Sequence, residues 1–224
     1  MEERRSFEMA PLRTPRAAAI AGILFGLLLG TSYAMLRVAV PADPGSGSDW
    51  IDENARMVRV ALGLIPFAGI AFLWFMGVVR DRIGRREDQF FSTVFLGSGL
   101  LFVALMFVSG SIASAILAAH EANAQVVAES EVYWFGRDLM YRITNTYALR
   151  MSAVFMISLA TIWIRTRTTP RWLPILTYGA AAVLLITLSF NLWIAMVFPG
   201  WVVLISITIL WAEFRRDSDP EQQG

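Results

Sequence analysis

The chain has no cysteine, a single histidine (His120) and no lysine, so all 19 of its basic residues are arginine. Absence of cysteine excludes disulfides, thiol catalysis and thiolate metal sites. One histidine lacks the companions a metal centre needs, and no metal site follows from it. Without lysine there is no Schiff base to carry retinal or pyridoxal phosphate, and no cofactor is implied. Charge is scarce too, at 17% of 224 residues with a formal net charge of +1, which gives no global field to attract nucleic acid. What is present instead is apolar: 56% of the residues are hydrophobic and the mean hydropathy is +0.55. That is too apolar for a soluble domain of this length, so lipid is the expected solvent.

Crossing about 30 Å of hydrocarbon takes about 20 helical residues. Apolar runs of that order lie at 17–40, 57–79, 90–119 and 146–164, and the first is too long for a signal peptide h-region and ends in Arg37. The stretch 172–212 is too long for one span. Trp193 and Trp211 stand 18 residues apart, about 27 Å along a helix, a spacing that suits two interfacial belts. The turn is therefore expected at 189–191, giving spans at 172–188 and 192–212, with Asn191 capping the last helix and Pro199 kinking it. The expected fold is an all-α membrane bundle of six transmembrane helices in a single domain, 17–213.

Orientation follows from arginine, which concentrates in cytoplasmic loops. Arg4, Arg5, Arg13 and Arg16, then Arg80, Arg82, Arg85 and Arg86, then Arg165, Arg167 and Arg171, then Arg215 and Arg216 all fall on one side of six spans. Asp43, Asp49, Asp52 and Glu53, then Glu121, Glu129, Glu131 and Asp138 fall on the other. Both terminal tails, 1–16 and 214–224, are thus expected in the cytoplasm, in the inner membrane of a bacterium.

Along the first span, Ala18, Gly22, Gly26, Gly30 and Ala34 recur every fourth residue and line one face. Small faces let helix backbones approach closely in lipid, where no hydrophobic effect drives association. The stripe serves either a homo-oligomer through the first helix or packing within the chain. Ionisable groups at span ends are the candidate ligand-binding residues. Arg37, Arg59 and Arg150 all lie near outer ends, and with His120, Glu121 and Asp138 they would form an outward pocket for an anion or lipid headgroup. The alternative is that each arginine reaches separately for the nearest lipid phosphates. The 26-residue stretch 120–145 mixes Tyr133, Trp134, Phe135 and Tyr141 with Arg137, Asp138 and Arg142, as expected of a helical segment lying in the headgroup layer. His120 beside Glu121 is a candidate proton-handling pair.

The segment Gly77-Val-Val-Arg-Asp81-Arg82-Ile-Gly84-Arg85-Arg86 resembles the G-x-x-x-D-R-x-G-R-R loop of major facilitator transporters. The resemblance covers about ten residues and implies a cytoplasmic charge latch formed by Asp81, Arg82 and Arg86; an arginine-rich tight turn is also what topology alone produces. More broadly, GVVRDRIGRREDQFFSTVFLGSGLLF (77–102), RMSAVFMISLATIWIRTRTTPRWL (150–173) and LWIAMVFPGWVVLISITIL (192–210) are similar to a group of actinobacterial multispanning integral membrane proteins with no assigned activity. That likeness implies the spans and the kinked last helix and carries no site.

Span serines and threonines such as Ser109, Ser111, Ser114, Ser158 and Thr161 have no base in view and are expected to bond preceding carbonyls, so no enzyme is indicated. Two functions remain. A non-enzymatic accessory, scaffold or lipid-interacting component requires a dry, closed bundle with membrane lipids as partners. A small transporter or channel, alone or as a dimer of six-span units, requires a polar cavity near the midplane, for which Thr31, Ser32, Ser98, Ser109, Ser158 and Thr161 are the only material.

Overall fold

In hydrocarbon a backbone must satisfy its own N–H and C=O groups, so each long apolar run is obliged to be helical. A computed structural model describes residues 14–41, 50–83, 89–128, 130–167, 169–186 and 192–218, and these contain helices and no strand. The elements are α1 (Thr14–Ala39), α2 (Trp50–Ile83), α3 (Gln89–Ala122), α4 (Ala124–Ala128), α5 (Glu131–Arg142), a π-helical stretch (Ile143–Ala148), α6 (Leu149–Thr166), α7 (Trp172–Ile186), α8 (Leu192–Ala195) and α9 (Val197–Ser218). Five helical segments are long and apolar enough to cross a membrane: Arg16–Ala39, Trp50–Arg80, Phe90–Ala122, Glu131–Thr166 and Trp193–Ala212. Among the described residues, the fifth expected span appears as α7, whose 15 residues reach about 22 Å. The turn expected at 189–191, with Asn191, lies outside the described residues.

One expectation needs correction. The outer segment is not a separate helix lying along the surface. Instead, α5 runs through the π-helical stretch into α6 as one rod of 36 residues, Glu131–Thr166. Its N-terminal part is held against α3, where Ser109 Oγ donates to the Met140 carbonyl (2.9 Å) and shares a hydrogen bond with Thr144 Oγ1 (2.7 Å). The kink expected from Pro199 in the last helix is present, and it falls just before the proline. The proline ring clashes with the carbonyl four residues back, at Ala195, so the break falls there. Met196 N takes a tighter bond to the Trp193 carbonyl (3.1 Å), and the regular pattern resumes with Gly200 N on Met196 O (3.0 Å).

The interior is aromatic. Phe25 of α1, Phe72 of α2, Phe102 of α3, Phe155 of α6 and Phe198 of α9 are all fully buried. The Phe72 ring lies 4.7 Å from Phe25, 5.2 Å from Phe155 and 5.5 Å from both Phe102 and Phe198, mostly in tilted or edge-on geometry. Such pairs add about 0.5–1.5 kcal/mol each beyond area burial.

The small-residue stripe of α1 is consumed inside the chain at two of its three glycines. A Cβ at Gly22 would collide with Ser206 Oγ and stand 2.8 Å from Phe75, and one at Gly26 would collide with Val203 and stand 2.9 Å from the Pro199 carbonyl oxygen. Only Gly30 faces open space. An oligomer face along the stripe therefore retains just that glycine.

Gly26→Ala is expected to lower stability by about 1–3 kcal/mol through overpacking against a backbone atom that cannot yield. Gly30→Ala should be neutral or gain up to about 1 kcal/mol from helix propensity. Thermal unfolding of the two variants in detergent checks both.

Candidate functional site

At 34 residues each, α2 and α3 extend about 50 Å, well beyond the hydrocarbon, so their ends remote from the α2–α3 turn stand proud of the apolar layer. The C-terminal end of α1 and the upper part of α5 meet them there. α5 fits closely because Gly136 faces α3: a Cβ at that position would already be 3.1 Å from Ile116. The buried face of α5 carries Tyr133, Gly136 and Arg137, the i, i+3, i+4 spacing of one helical stripe.

Arg137 is the centre of this end. It is 7% exposed. Its Nη2 donates to the Pro41 carbonyl at the end of α1 (3.2 Å), and its Nη1 reaches Tyr133 Oη (3.5 Å). The guanidinium carbon lies 6.0 Å from the centre of the Trp50 ring, and Trp50 Nε1 donates to the same Tyr133 hydroxyl (3.1 Å). One cation thus joins α1, α2 and α5, and it also meets the partial negative charge at the C-terminus of α1. These three side chains border a cavity of about 40 Å³ whose remaining wall is apolar, including Leu36, Val58, Ile116 and Leu117. That is room for a water molecule or two rather than an organic ligand.

The residues expected to converge are distributed differently. His120 is buried, at 4% exposure, and pairs through Nε2 with Asp52 Oδ1 (2.9 Å) rather than with Glu121. Adjacent helix positions point apart, and Glu121 faces Arg59 instead, with which it forms an exposed ion pair. The other ring nitrogen, Nδ1, is buried without a hydrogen-bond partner among the described residues. Asp138 is taken by Arg142 one turn along α5 (2.5 Å), on the exposed face. Arg150 donates to the Thr146 carbonyl of its own helix (2.6 Å). Arg37 stands half-buried in the last turn of α1. The anticipated cluster is thus five separate arrangements. Asp81 and Arg82 of the expected latch lie in the last turn of α2, and Arg86 lies outside the described residues.

Arg137 and Asp52, expected on this side but not among the candidate binding residues, and Trp50 prove to be members of the site. The signal was available for Arg137, which shares a helical stripe with Tyr133, Gly136 and Met140. No metal-binding group of three or more His, Cys, Asp or Glu occurs among the described residues. Ser98, Ser111, Ser152, Ser158 and Thr161 donate to carbonyls three or four residues back, and Ser32 donates to the Ala61 carbonyl across the α1–α2 contact (2.7 Å).

Arg137→Met should cost about 1–3 kcal/mol, because it leaves the Tyr133 hydroxyl and Pro41 carbonyl short of a donor in a buried site. Arg142→Met, on the exposed face, should leave stability unchanged. Trp50→Phe keeps a six-membered ring but loses the indole N–H and its hydrogen bond to Tyr133, about 1 kcal/mol, together with part of the packing against Arg137. Melting temperatures in one detergent rank the three.

Compared with protein-family models, with curated proteins and with solved structures, the chain shows no match.

Proposed function

We propose that this chain, held in a bacterial cytoplasmic membrane by six spans with both termini inside, acts as a non-enzymatic accessory or scaffold component that engages lipids at its outer end. The observation that carries the reading is the contact of five phenylalanines, one from each long helix, where a conduction path would need water. A transporter stores polar or ionisable groups at that depth. Here the described span hydroxyls are mostly occupied by their own helices, and the ionisable side chains brought together by α1, α2, α3 and α5 lie at one end. Polarity concentrated at a membrane boundary favours contacts with headgroups or partner domains over passage of a solute.

Absence of native cysteine makes topology directly measurable. Asp43→Cys and Ser189→Cys are expected to react with an impermeant maleimide added outside intact cells, and Arg86→Cys and Gln222→Cys only after the cells are opened. Labelling of Gln222→Cys from outside would reduce the span count to five. In proteoliposomes, efflux of small anions and cations should match that of protein-free vesicles. Protein-dependent flux would replace the scaffold reading with the transporter.

A further inference from the structure

Buried residues along the rod Glu131–Thr166 do not keep one helical period. The stripe of α5 runs through Tyr133, Arg137 and Met140 in steps of four and three. Continued at 3.6 residues per turn, it would fall on Thr144, Tyr147, Met151, Val154, Ser158 and Thr161. Tyr147 is 58% exposed, and only Ser158 of the six is buried. The buried line instead runs through Ala148, Ser152, Phe155, Leu159 and Ile162, one residue later at every step and none more than 1% exposed. The slip falls within the π-helical stretch Ile143–Ala148, after which Leu149 N donates to the Thr144 carbonyl, five residues back. Such a stretch takes up one residue more than α-helical turns would. That residue keeps both stripes on α3, with Gly136 against Ile116 and the Phe155 ring 4.5 Å from Phe95. In an unbroken α-helix of this sequence the two faces would stand about 100° apart.

Side chains hold the surplus residue where it is. Ser109 Oγ of α3 donates to the Met140 carbonyl (2.9 Å) and shares a hydrogen bond with Thr144 Oγ1 (2.7 Å). Asn145 Nδ2 donates to the Tyr141 carbonyl (3.1 Å) and Arg150 Nη1 to the Thr146 carbonyl (2.6 Å). Carbonyls before and within the stretch thus have side-chain donors, which lowers the cost of interrupting the α-helical ladder there. A helix one residue shorter would seat both stripes without any interruption, so packing alone does not require the insertion. We infer that it is a rotation device. Passing the surplus residue toward the N-terminus of the rod turns α5 by about 100° about its axis while α6 keeps its seat. The turn withdraws Arg137 from Pro41 and Trp50. Ser109 is the catch, since its hydroxyl meets Met140 and Thr144 together only in the observed register. Rotation of α5 goes beyond the proposed function and is independent of whether the chain conducts.

The cysteine-free chain accepts two nitroxide labels, at Val60→Cys on α2 and Val132→Cys on α5, both exposed positions. Pulsed electron paramagnetic resonance between them, in proteoliposomes, tests the device. One dominant distance is expected for the labelled parent. Ser109→Ala should raise the population at a second distance about tenfold, the scale of one lost hydrogen bond. Thr144→Val removes the same catch from the other side, and it carries the test if Ser109→Ala is not monodisperse. Deletion of Tyr147 takes out the surplus residue at an exposed position. It should leave a single distance, also when combined with Ser109→Ala, and melt within about 4 °C of the parent. Deletion of Ile157, inside regular α6, should abolish cooperative melting. A distance distribution left unchanged by removal of the catch overturns the rotation. A Tyr147 deletion that loses cooperative melting as the Ile157 deletion does overturns the one-residue insertion on which the rotation rests.

Discussion

Each of the five long helices contributes one phenylalanine to a single contact, and the arrangement of the bundle depends on it. Water drives apolar side chains together in a soluble core, but lipid is as apolar as leucine, so helices in a membrane associate through close packing and directional contacts instead. Interlocked rings supply both. Phe72 touches the other four partners, which makes α2 the hub around which α1, α3, α6 and α9 are placed. The glycines of α1 complete the arrangement from outside the cluster, since Gly22 and Gly26 bring α9 close enough for Phe198 to reach Phe25 at 5.8 Å.

The two ends of the molecule are organised by different physics. At the end where α1, α2, α3 and α5 meet, polar groups are drawn into defined partnerships: a buried imidazole with a carboxylate, and a buried guanidinium with a carbonyl, a phenol and an indole. At the opposite end, Arg16 lies 5.4 Å from the Phe214 ring centre and Arg165 lies 4.7 Å from that of Phe91, so arginines there stack on aromatic rings at helix ends. Cations over ring faces keep their charge near water while burying their stems. Arginine suits this better than lysine because its flat, weakly hydrated head stacks, and the chain uses arginine alone.

Hydropathy made the membrane segments legible because lipid imposes length and composition on them. The expected 17–40 and 90–119 agree with α1 and α3 to within a few residues. The expected 57–79 fell short of α2 because a helix does not end where its apolar run ends: Trp50, Asp52, Glu53 and Arg56 continue it into the polar layer, where hydropathy is silent. The same limit hid the union of α5 with α6. For the site, depth could be read from sequence position but direction around the helix could not. Arg59 and Arg150, both expected near span ends, face different neighbours, whereas Arg137, expected in the headgroup layer, is buried. Burial of a cation depends on partners far along the chain, and Pro41 lies 96 residues away.

Glu131–Thr166 unites the outer end and the aromatic centre in one member. Arg137 is clamped near its N-terminal end and Phe155 about two thirds of the way along, and a continuous helix resists bending. A tug on the outer face therefore arrives at the Phe72 contact as torque or axial displacement unless something between them gives way. The π-helical stretch Ile143–Ala148 is the one non-α part of this rod, with looser pitch and a side-chain tie to α3 at Thr144. It divides the rod into a stiff handle and a stiff blade, and its compliance sets how much of any outer force the centre feels.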